Sequence, residues 1–350
     1  MAEGDIAISL VPSKALIPCL FEEAEDDMIE EVLQGTFRVK VPLPGNPLKH
    51  TNSYLLVSGS KCLVIDTGFN VDESYNALAS ALRKLKELGV SEFEFCSTHL
   101  HADHMGLVGR FSSSIWMSSV EVEQVEAMSR DPRGYWSSVV DFYARNGLPR
   151  EEAELILRLH PGVRYVSQRD LDFRRLDDGD VITVGDLLLV CVLTPGHTPG
   201  HMCLYDADRR VLFSGDHVLF DITPNISWMP GFEDPLSGYL KSLEKLLSLD
   251  VKLVMPGHRS FSSDLRKRVQ ELKEHHERRL QEALAALDRP KTAWEVAPSI
   301  SWDVKAKDLN ELPVTQKWFI VGETIAHLEH LLNKGKIRKV EKGGVILYYS

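Results

Sequence analysis

The seven residues Thr98–His104 contain four side chains that can bind a metal ion, namely His99, His101, Asp103 and His104. The apolar run before them predicts a buried strand, and the glycine-punctuated run after them predicts the start of a helix. Alternate side chains of an extended backbone point the same way, so His99 and His101 can bind one cation together. A turn into a helix carries Asp103 and His104 toward a second position. This spacing suits two metal ions.

The composition is that of an ordinary globular protein. The chain has 350 residues, of which 43% are hydrophobic, and a net charge of −11. Its length allows one large domain and a smaller one. Because 51 Asp and Glu residues outnumber 40 Lys and Arg residues, we do not expect nucleic acid or another polyanion as a general partner.

The cysteines, the first residues and the hydropathy bear on the location of the protein. The cysteines lie mostly in apolar runs and form no CxxC motif, which predicts reduced thiols in the core. The first residues carry no basic-then-apolar signal pattern, and no apolar run reaches the roughly 18 residues of a membrane span. We therefore expect a cytoplasmic protein with no membrane partner. The five cysteines are Cys19, Cys62, Cys96, Cys191 and Cys203.

The first hundred residues read as strands and one helix. Ile6–Val11 and Phe37–Val41 predict strands, and the acidic stretch Glu22–Glu31 predicts a solvated surface. Two further strand signals flank a hairpin turn, and an amphipathic helix follows them. The order β-β-α-β therefore leads into the metal-binding run. The hairpin strands are Ser53–Val57 and Cys62–Asp66, and the helix is Val71–Leu88.

Residues 119–176 interrupt this order with helical patterns rich in aromatic side chains. One interpretation is a helical hairpin that packs its aromatic rings inward. The other is a lid over the mouth of the site whose rings select the substrate, and both can hold together. The predicted helices are Val120–Met128, Gly134–Asn146 and Glu151–Leu159, and the aromatic residues are Tyr135, Trp136, Phe142 and Tyr143.

Three more candidate ligands follow strand signals in the second half of the chain. His197, Asp216 and His258 each come after a predicted strand, and each stands beside a glycine. The strand signals are Val181–Val184, Leu187–Leu193, His201–Tyr205, Val211–Ser214 and Val251–Met255, with a helix predicted at Pro235–Leu249. The parts of one metal site thus recur in order along the chain, each where a strand ends.

These residues resemble the signature of the metallo-β-lactamase superfamily, H-x-H-x-D-H followed by a distant His, an Asp and a last His. All seven positions match here, and the resemblance covers residues 35–262. It implies an α/β (α+β) fold, an αββα sandwich in which two mixed sheets lie face to face with helices outside. Asp66 matches the family's aspartate that orients a ligand from behind. The seven matching residues are His99, His101, Asp103, His104, His197, Asp216 and His258.

The resemblance also implies how these residues divide between two metal ions. His99, His101 and His197 would bind the first ion, Asp103, His104 and His258 the second, with Asp216 bridging both. Imidazole and carboxylate ligands suit Zn²⁺ best, while iron or manganese also fit. Two such ions can share a water and lower its pKa toward about 7, so no serine or cysteine nucleophile is needed. Asp103 is a candidate to accept a proton or to orient the hydroxide.

Other polar residues near these positions have alternative interpretations. His217 either donates to a substrate oxygen as a catalytic residue or lies in the interior behind the ligands. His201 is interpreted as a packing residue. His50 and Asn52–Tyr54 are candidates to border the pocket, and Trp228 is either a pocket wall or a packing residue.

The rest of the chain reads as a linker helix, residues 263–289, and a small domain, residues 290–350, after a catalytic domain of residues 1–262. Helices followed by a hairpin are typical of a winged helix, and this tail resembles one found in a subgroup that includes an RNA endonuclease. The helix that would enter a groove, Glu323–Lys334, has Lys334 as its one Lys or Arg residue. Since nucleic-acid binding needs several cations, we expect a packing role or a homodimer through this domain. The predicted elements are helices at Ser263–Leu287, Lys291–Ser301 and Val321–Asn333 and a hairpin of Ile337–Val340 and Val345–Tyr349.

The sequence therefore predicts a dinuclear metal-dependent hydrolase that acts on a small ester, thioester or lactone, similar to the glyoxalase II branch. The basic pattern that binds glutathione in that branch is not found. The alternatives are a phosphodiesterase or RNA endonuclease of the same fold, a one-iron sulfur dioxygenase, and a binding protein that retains metal without turnover. Secreted β-lactam hydrolysis is disfavoured.

Overall fold

The computed structural model describes residues 29–167, 170–304 and 308–350, and its first half is built on a seven-stranded sheet whose strands follow the chain order. The first four strands are antiparallel neighbours and the last four are parallel. The parallel strands all end at the same edge, where loops can carry ligands. The strands are β1 (Ile29–Leu33), β2 (Thr36–Pro42), β3 (His50–Ser58), β4 (Lys61–Ile65), β5 (Glu92–Cys96), β6 (Ser114–Ser118) and β7 (Asp172–Leu176).

A second, five-stranded sheet forms from the second half of the chain in the order β12-β11-β10-β9-β8. Its strands are antiparallel except for the parallel pair of the last two. The strands are β8 (Val181–Val184), β9 (Leu187–Leu193), β10 (Met202–Asp206), β11 (Val211–Gly215) and β12 (Leu253–Pro256).

The two sheets face each other, and helices cover their outer faces. Tyr54 and Leu56 of β3 pack against the second sheet in one buried cluster, while Leu55 between them packs under the first helix in another. This alternation is what an extended strand buried on both faces requires. On the other side, Leu236 and Leu243 pack over the second sheet. The predicted αββα sandwich is confirmed. The helices of this part are α1 (Asp72–Glu87), α2 (Ala102–Met105), α3 (Val108–Phe111), α4 (Ser119–Arg130), α5 (Pro132–Arg145), α6 (Arg150–Leu159), α7 (Pro161–Arg164) and α8 (Pro235–Leu246).

One prediction in this part needs correction, and another is confirmed for the residues that the structure describes. Glu30 and Glu31 of the acidic stretch are exposed, as predicted for a solvated surface, and they lie in strand β1. The rest of that stretch and the predicted strand Ile6–Val11 lie outside the described residues. Within the helical segment 119–176, Asp172–Leu176 is an edge strand. Three of its five residues are charged, so it lacks the apolar alternation that marks a strand in a sequence.

The C-terminal part packs on α5, α6 and α8, and one continuous buried cluster contains residues from all of these elements. The helix predicted at Val321–Asn333 begins at Val314 instead, and nearly all of its residues from Lys317 to Leu331 are buried. The surface that would enter a groove in a nucleic-acid-binding winged helix is therefore inside the molecule, in agreement with the expected packing role. The elements are α9 (Leu265–Ala285), α10 (Ala293–Val296), two 3₁₀ turns (Ala297–Ser299 and Leu309–Glu311), α11 (Val314–Asn333), β13 (Arg338–Lys342) and β14 (Val345–Tyr349).

The apolar helix α11 is buried in the protein interior and is not a candidate membrane span. None of the helices in the described parts combines the length and the apolar character that crossing a bilayer requires. The burial of α11 comes instead from its position between α6, α8 and α9.

Candidate metal centre

All seven predicted ligands lie together where strands of both sheets end. His99 and its neighbours follow β5, His197 follows β9, Asp216 follows β11 and His258 follows β12. Glycine precedes three of these residues because the backbone turns sharply there. A Cβ atom on Gly257 would lie 2.7 Å from Asp216 Oδ1 and 2.8 Å from the ring of His104, so only glycine leaves this space open.

The first group of ligands consists of three histidine rings. His101 Nδ1 lies 3.0 Å from His99 Nε2 and 2.9 Å from His197 Nε2. Nitrogen ligands on a tetrahedral zinc ion, each about 2.0–2.1 Å from the metal, lie about 3.3 Å from one another. The three nitrogens are thus close to the arrangement that one metal ion needs, and they form a group able to bind one.

The second group combines a carboxylate with two histidines. Asp103 Oδ2 lies 3.4 Å from His258 Nε2 and 3.8 Å from His104 Nε2. Asp216 stands between the groups, with Oδ1 at 3.5 Å from His104 Nε2 and Oδ2 at 3.5 Å from His258 Nε2 and 3.7 Å from His197 Nε2. Asp216 is therefore placed to touch ions in both groups.

Hydrogen bonds behind the site determine which ring nitrogen faces it. In three histidines Nδ1 meets an oxygen that can only accept, so Nδ1 carries the proton and Nε2 offers its lone pair to the site. These bonds run from His104 to Asp66 Oδ2 at 2.8 Å, from His197 to the carbonyl of Asn225 at 2.8 Å and from His258 to the carbonyl of His50 at 2.9 Å.

Three buried polar atoms at the centre lack hydrogen-bond partners among the described residues: His104 Nε2, Asp216 Oδ1 and His258 Nε2. Leaving such atoms unpaired in the interior costs free energy. A cation between them would satisfy all three at once. The side chains present therefore fit divalent metal ions by donor type and by position.

The two groups differ in electrostatics. Burial, together with the neighbouring rings, lowers the pKa of His101 to about 3 and that of His99 well below its ordinary value, so both are neutral at pH 7. Burial also acts to lower the pKa of His258, but the carboxylates of Asp216 and Asp103 outweigh it and raise this pKa to about 10. Without a cation the second group attracts protons. The excess of negative charge there is what a divalent ion would balance.

Asp66 lies behind the site, as the resemblance implied. Its Oδ1 accepts from the backbone N–H of Thr98 at 2.8 Å, and its Oδ2 accepts from the Thr98 hydroxyl at 2.9 Å and from His104. Its φ is +60°, in the left-handed region that aspartate tolerates better than most residues. The Asp66 carboxylate thereby joins the end of strand β4 to the loop after β5, which carries residues of both ligand groups.

Glu121, on the first turn of α4, was missed by the sequence reasoning. Its side chain is fully buried and accepts from the backbone N–H of Leu100 and of Gly200, both at 2.7 Å. These bonds join the loop of His99 to the loop of His197. The sequence did hold a signal, because Ser118-x-x-Glu121 has the pattern of a capping box, in which the glutamate binds its own helix start. Here the carboxylate reaches two other loops instead.

His201 and His217 both lie inside the molecule. His201 Nε2 accepts from the backbone N–H of Asp216 at 3.1 Å, and its Nδ1 meets Thr194 at 2.9 Å, so it holds the backbone of Asp216 in addition to packing. His217 is fully buried against the ring of Tyr239, and neither of its ring nitrogens has a partner in the described parts of the chain. This position favours the interior role over contact with substrate.

His50 and Asn52–Tyr54 support the site from behind and do not line the pocket described next. Asn52 Nδ2 donates to the carbonyls of Pro256 at 2.9 Å and Arg259 at 3.0 Å, on either side of His258. The Tyr54 hydroxyl donates to the same carbonyl of Pro256 at 2.7 Å. Strand β3 therefore holds the loop of His258.

A largely apolar pocket opens beside the first group of ligands, with His101 and His197 in its wall. Trp228 lines it and stacks on Phe142 with ring centres 3.8 Å apart. Tyr143 lines it and stacks on Trp318 at 3.6 Å. The aromatic rings thus pack inward and several of them also face the pocket, while selection of a substrate by them stays a prediction. The aromatic lining residues are Tyr135, Trp136, Tyr143, Trp228, Trp318 and Phe319.

Trp318 and Phe319 belong to α11, and the sequence did not predict that the C-terminal part would reach the pocket. Nothing in the local pattern of this helix distinguishes a ring that packs in a core from one that faces a cavity. The contact depends on how α11 lies against α5 and α6.

Both parts of the chain match profiles of known protein families. Residues 46–258 match the profile of the metallo-beta-lactamase superfamily, and residues 280–350 match that of a metallo-beta-lactamase-like C-terminal domain. A metallo-beta-lactamase family protein from Thermus thermophilus has a similar structure, with a TM-score of 0.76 and 30% identity over 91% of this chain and 99% of that chain.

Among curated relatives, the beta-lactamase-like protein 2 homolog of Caenorhabditis elegans is 28% identical over 83% of this chain and 85% of its own length. An acyl-coenzyme A thioesterase from Homo sapiens is 31% identical over 59% of this chain and 72% of its length. The atrochrysone carboxyl ACP thioesterase of Aspergillus fumigatus is 28% identical over 71% of this chain and 65% of its length.

Proposed function

Because this chain belongs to the metallo-β-lactamase superfamily and is a hydrolase, we propose that it binds two divalent metal ions, most simply Zn²⁺, and hydrolyses thioesters that carry an apolar acyl group. The observation that carries this proposal is the aromatic pocket, whose wall includes His101 and His197. An acyl chain in that pocket would place its carbonyl carbon beside the first group of ligands. The thioesterase activity of two relatives points to the same class of bond.

The chain's own residues would perform three tasks in this reaction. Bound in the two groups, divalent ions would supply Lewis acidity and a water acidic enough to yield a nucleophile near neutral pH. Asp103 is the most exposed of the carboxylates at the centre and is placed to accept a proton from the attacking water. The aromatic walls exclude solvent from the acyl chain. Glu121, Asp66 and His201 hold the ligand loops in position.

The other end of the substrate would meet positive charge. Lys40 and Arg38 lie on the same face of β2, where Asn52 contacts the carbonyl of Arg259. The pKa of His50 falls to about 4 because of its burial and because of the positive charges of Lys40, His258, Arg259 and Arg38. Arg38 is paired with Glu30, and the remaining cations here, Lys40 and Arg259, have no carboxylate partner among the described residues. In a chain of net charge −11, these two cations support a substrate with phosphate groups. A thioester of coenzyme A or of a carrier-bound phosphopantetheine has that character.

Turnover of defined substrates by protein of known metal content tests the proposal. Acyl-coenzyme A thioesters of increasing chain length should release free thiol, while a phosphodiester and single-stranded RNA should remain intact. The reaction should stop on removal of metal by a chelator and return when Zn²⁺ is added. Fully loaded protein that cleaves RNA and no thioester would refute the proposal and support the endonuclease alternative.

Replacing Trp228 with alanine should lower kcat/KM for a long-chain acyl thioester about 30-fold and leave that for an acetyl thioester nearly unchanged. The reason is the loss of about 2 kcal/mol of apolar contact with the acyl chain, since burial of one large side chain has this magnitude. Steady-state kinetics across chain lengths measures the effect. Trp116 of β6 donates to Glu94 of β5 and lies outside the pocket lining, so W116A provides the control. Equal losses for both chain lengths would contradict the pocket assignment.

Replacing Lys40 with alanine should raise KM for a coenzyme A thioester about threefold at low salt, because one exposed charge pair contributes up to about 1 kcal/mol. The effect should shrink as salt screens the charge, and kcat should stay the same. Lys61, at the far end of the adjoining hairpin and paired with Glu92, provides the control K61A. A KM that does not change with Lys40→Ala would show that the phosphates bind elsewhere.

A further inference from the structure

We propose that the C-terminal helices position the metal ligand His197, through a line of hydrogen bonds that passes from His197 to Asn225 and from Asn225 to Glu323 on α11. Asn225, Glu323 and its partner Arg279 would thus be positioning residues for the first metal ion, and this rests on the metal binding proposed above. The C-terminal part would then be a component of the metal centre in addition to a wall of its pocket.

The line begins at the ring of His197. Its Nδ1–H donates to the backbone carbonyl of Asn225 at 2.8 Å, which turns Nε2 toward His101 and Asp216. Asn225 lies on a loop between β11 and α8, so this carbonyl needs a support of its own. The side chain of the same residue provides it, because Asn225 Nδ2 donates to Glu323 Oε2 at 2.7 Å.

Glu323 is held from the other side by α9. It is only 3% exposed, and its Oε1 accepts from the guanidinium of Arg279, which is 7% exposed. Arg279 in turn donates through Nε to the carbonyl of Ser301 at 3.2 Å and lies over the ring of Trp302, 4.2 Å from its centre. With both charges buried and each oxygen of Glu323 used, the carboxylate has a single orientation, which it passes on to Asn225.

The loop that contains Asn225 also lies directly on the backbone of α11. The N–H of Trp228 donates to the carbonyl of Gly322 at 3.1 Å. A Cβ atom on Gly322 would lie 2.3 Å from the Tyr143 hydroxyl and 2.8 Å from Ser227 Oγ, so the absence of a side chain permits this approach. One stretch of α11 thus fixes both the carbonyl that orients a ligand and the tryptophan that lines the pocket.

The alternative is that Glu323 only holds α11 in place, as Glu329 does one and a half turns further along. Glu329 is also buried in α11, and its carboxylate accepts from Lys339 Nζ at 2.8 Å and from the Tyr348 hydroxyl at 2.7 Å. These bonds attach α11 to the C-terminal hairpin and have no connection to Asn225. The pair Glu323→Gln and Glu329→Gln therefore separates support of the ligand from support of the helix.

The experiment measures the affinity of the full-length protein for its first and second Zn²⁺ ion, by competition with a chromophoric chelator, alongside the melting temperature of the metal-free protein. In Glu323→Gln one oxygen must serve both Arg279 and Asn225, so one bond is lost. Loss of such an outer partner weakens metal binding by 10- to 100-fold. We expect at least a tenfold weaker affinity for one of the two ions in E323Q and in Asn225→Ala, and less than a twofold change for both ions in E329Q.

Asn225→Ala keeps the Arg279–Glu323 pair intact and so guards against a variant that fails to fold. Equal affinities in E323Q, N225A and the unaltered protein would overturn the proposal. So would an equal loss of affinity in E329Q, because the effect would then follow the stability of α11. Thioester turnover plays no part in these measurements, so their outcome is independent of the substrate proposed above.

Discussion

Replacing Asp216 with alanine is expected to lower kcat/KM for an acyl thioester by at least about 10³-fold and to reduce the bound metal from two ions per chain to one or none. Asp216 is the only one of the seven ligands whose oxygens lie within 3.7 Å of histidines in both groups. In the proposed dinuclear centre, its loss would remove a ligand from each ion and a negative charge from between them. Metal ions contribute several kcal/mol to such reactions, and about 4 kcal/mol corresponds to 10³ in rate.

Metal content by elemental analysis and kinetics on the same preparation test this expectation. Asp221→Ala is a suitable control, because Asp221 lies on the neighbouring loop and accepts from the N–H of Ser260 at 2.9 Å. An Asp216→Ala protein that retains two ions and full turnover would show that the ions are bound elsewhere.

Replacing Glu121 with glutamine should lower kcat/KM by about 10- to 100-fold, the range seen when a residue behind the ligands is lost. The carboxylate accepts from two backbone N–H groups in different loops, whereas a glutamine has one oxygen and turns an NH₂ toward the other donor. Either the loop of His99 or that of His197 then loses its support. Metal affinity should fall together with the rate.

Glu123→Gln provides the matched control, since Glu123 is exposed and lies half a turn further along α4. A Glu121→Gln protein with unchanged rate and unchanged metal affinity would limit Glu121 to a role in folding. A protein with unchanged metal affinity but lower rate would place its effect on the pocket instead.

That the seven candidate ligands lie together was predictable because each is a chemically distinctive residue that follows a strand, and three of them stand beside a glycine. The αββα sandwich was predictable because these residues resemble the superfamily signature and because the order of the strand signals agrees with that fold. Strand β7 could not be predicted in this way, because its exposed edge position allows charged residues where other strands need apolar ones.

The supports behind the ligands could not be predicted, because each joins residues far apart in the chain. Glu121 contacts Gly200, and Glu323 contacts Asn225, across some 80 to 100 positions. A single sequence shows the acidic residue but not its partner. The burial of α11 could not be predicted for the same reason, since a single sequence does not show that Arg279 and Lys339 lie beside Glu323 and Glu329.

Some predictions about the C-terminal part stand as they were made. The boundaries after residues 262 and 289, the winged-helix likeness and a homodimer through this part remain predictions. The burial of α11 bears on the last of these, because it directs any contact between two chains to other surfaces, such as the exposed strand β13.

Trp318 and Phe319 stand on a helix more than two hundred residues after the first histidine of the site, yet their rings form part of the wall beside His101. A recombination that exchanged the last third of the gene would therefore change part of the pocket wall and the hydrogen-bond partner of Asn225 in the same event. Hybrids assembled from two parents should keep the arrangement around His197 only when the loop of Asn225 comes from the same parent as the helix.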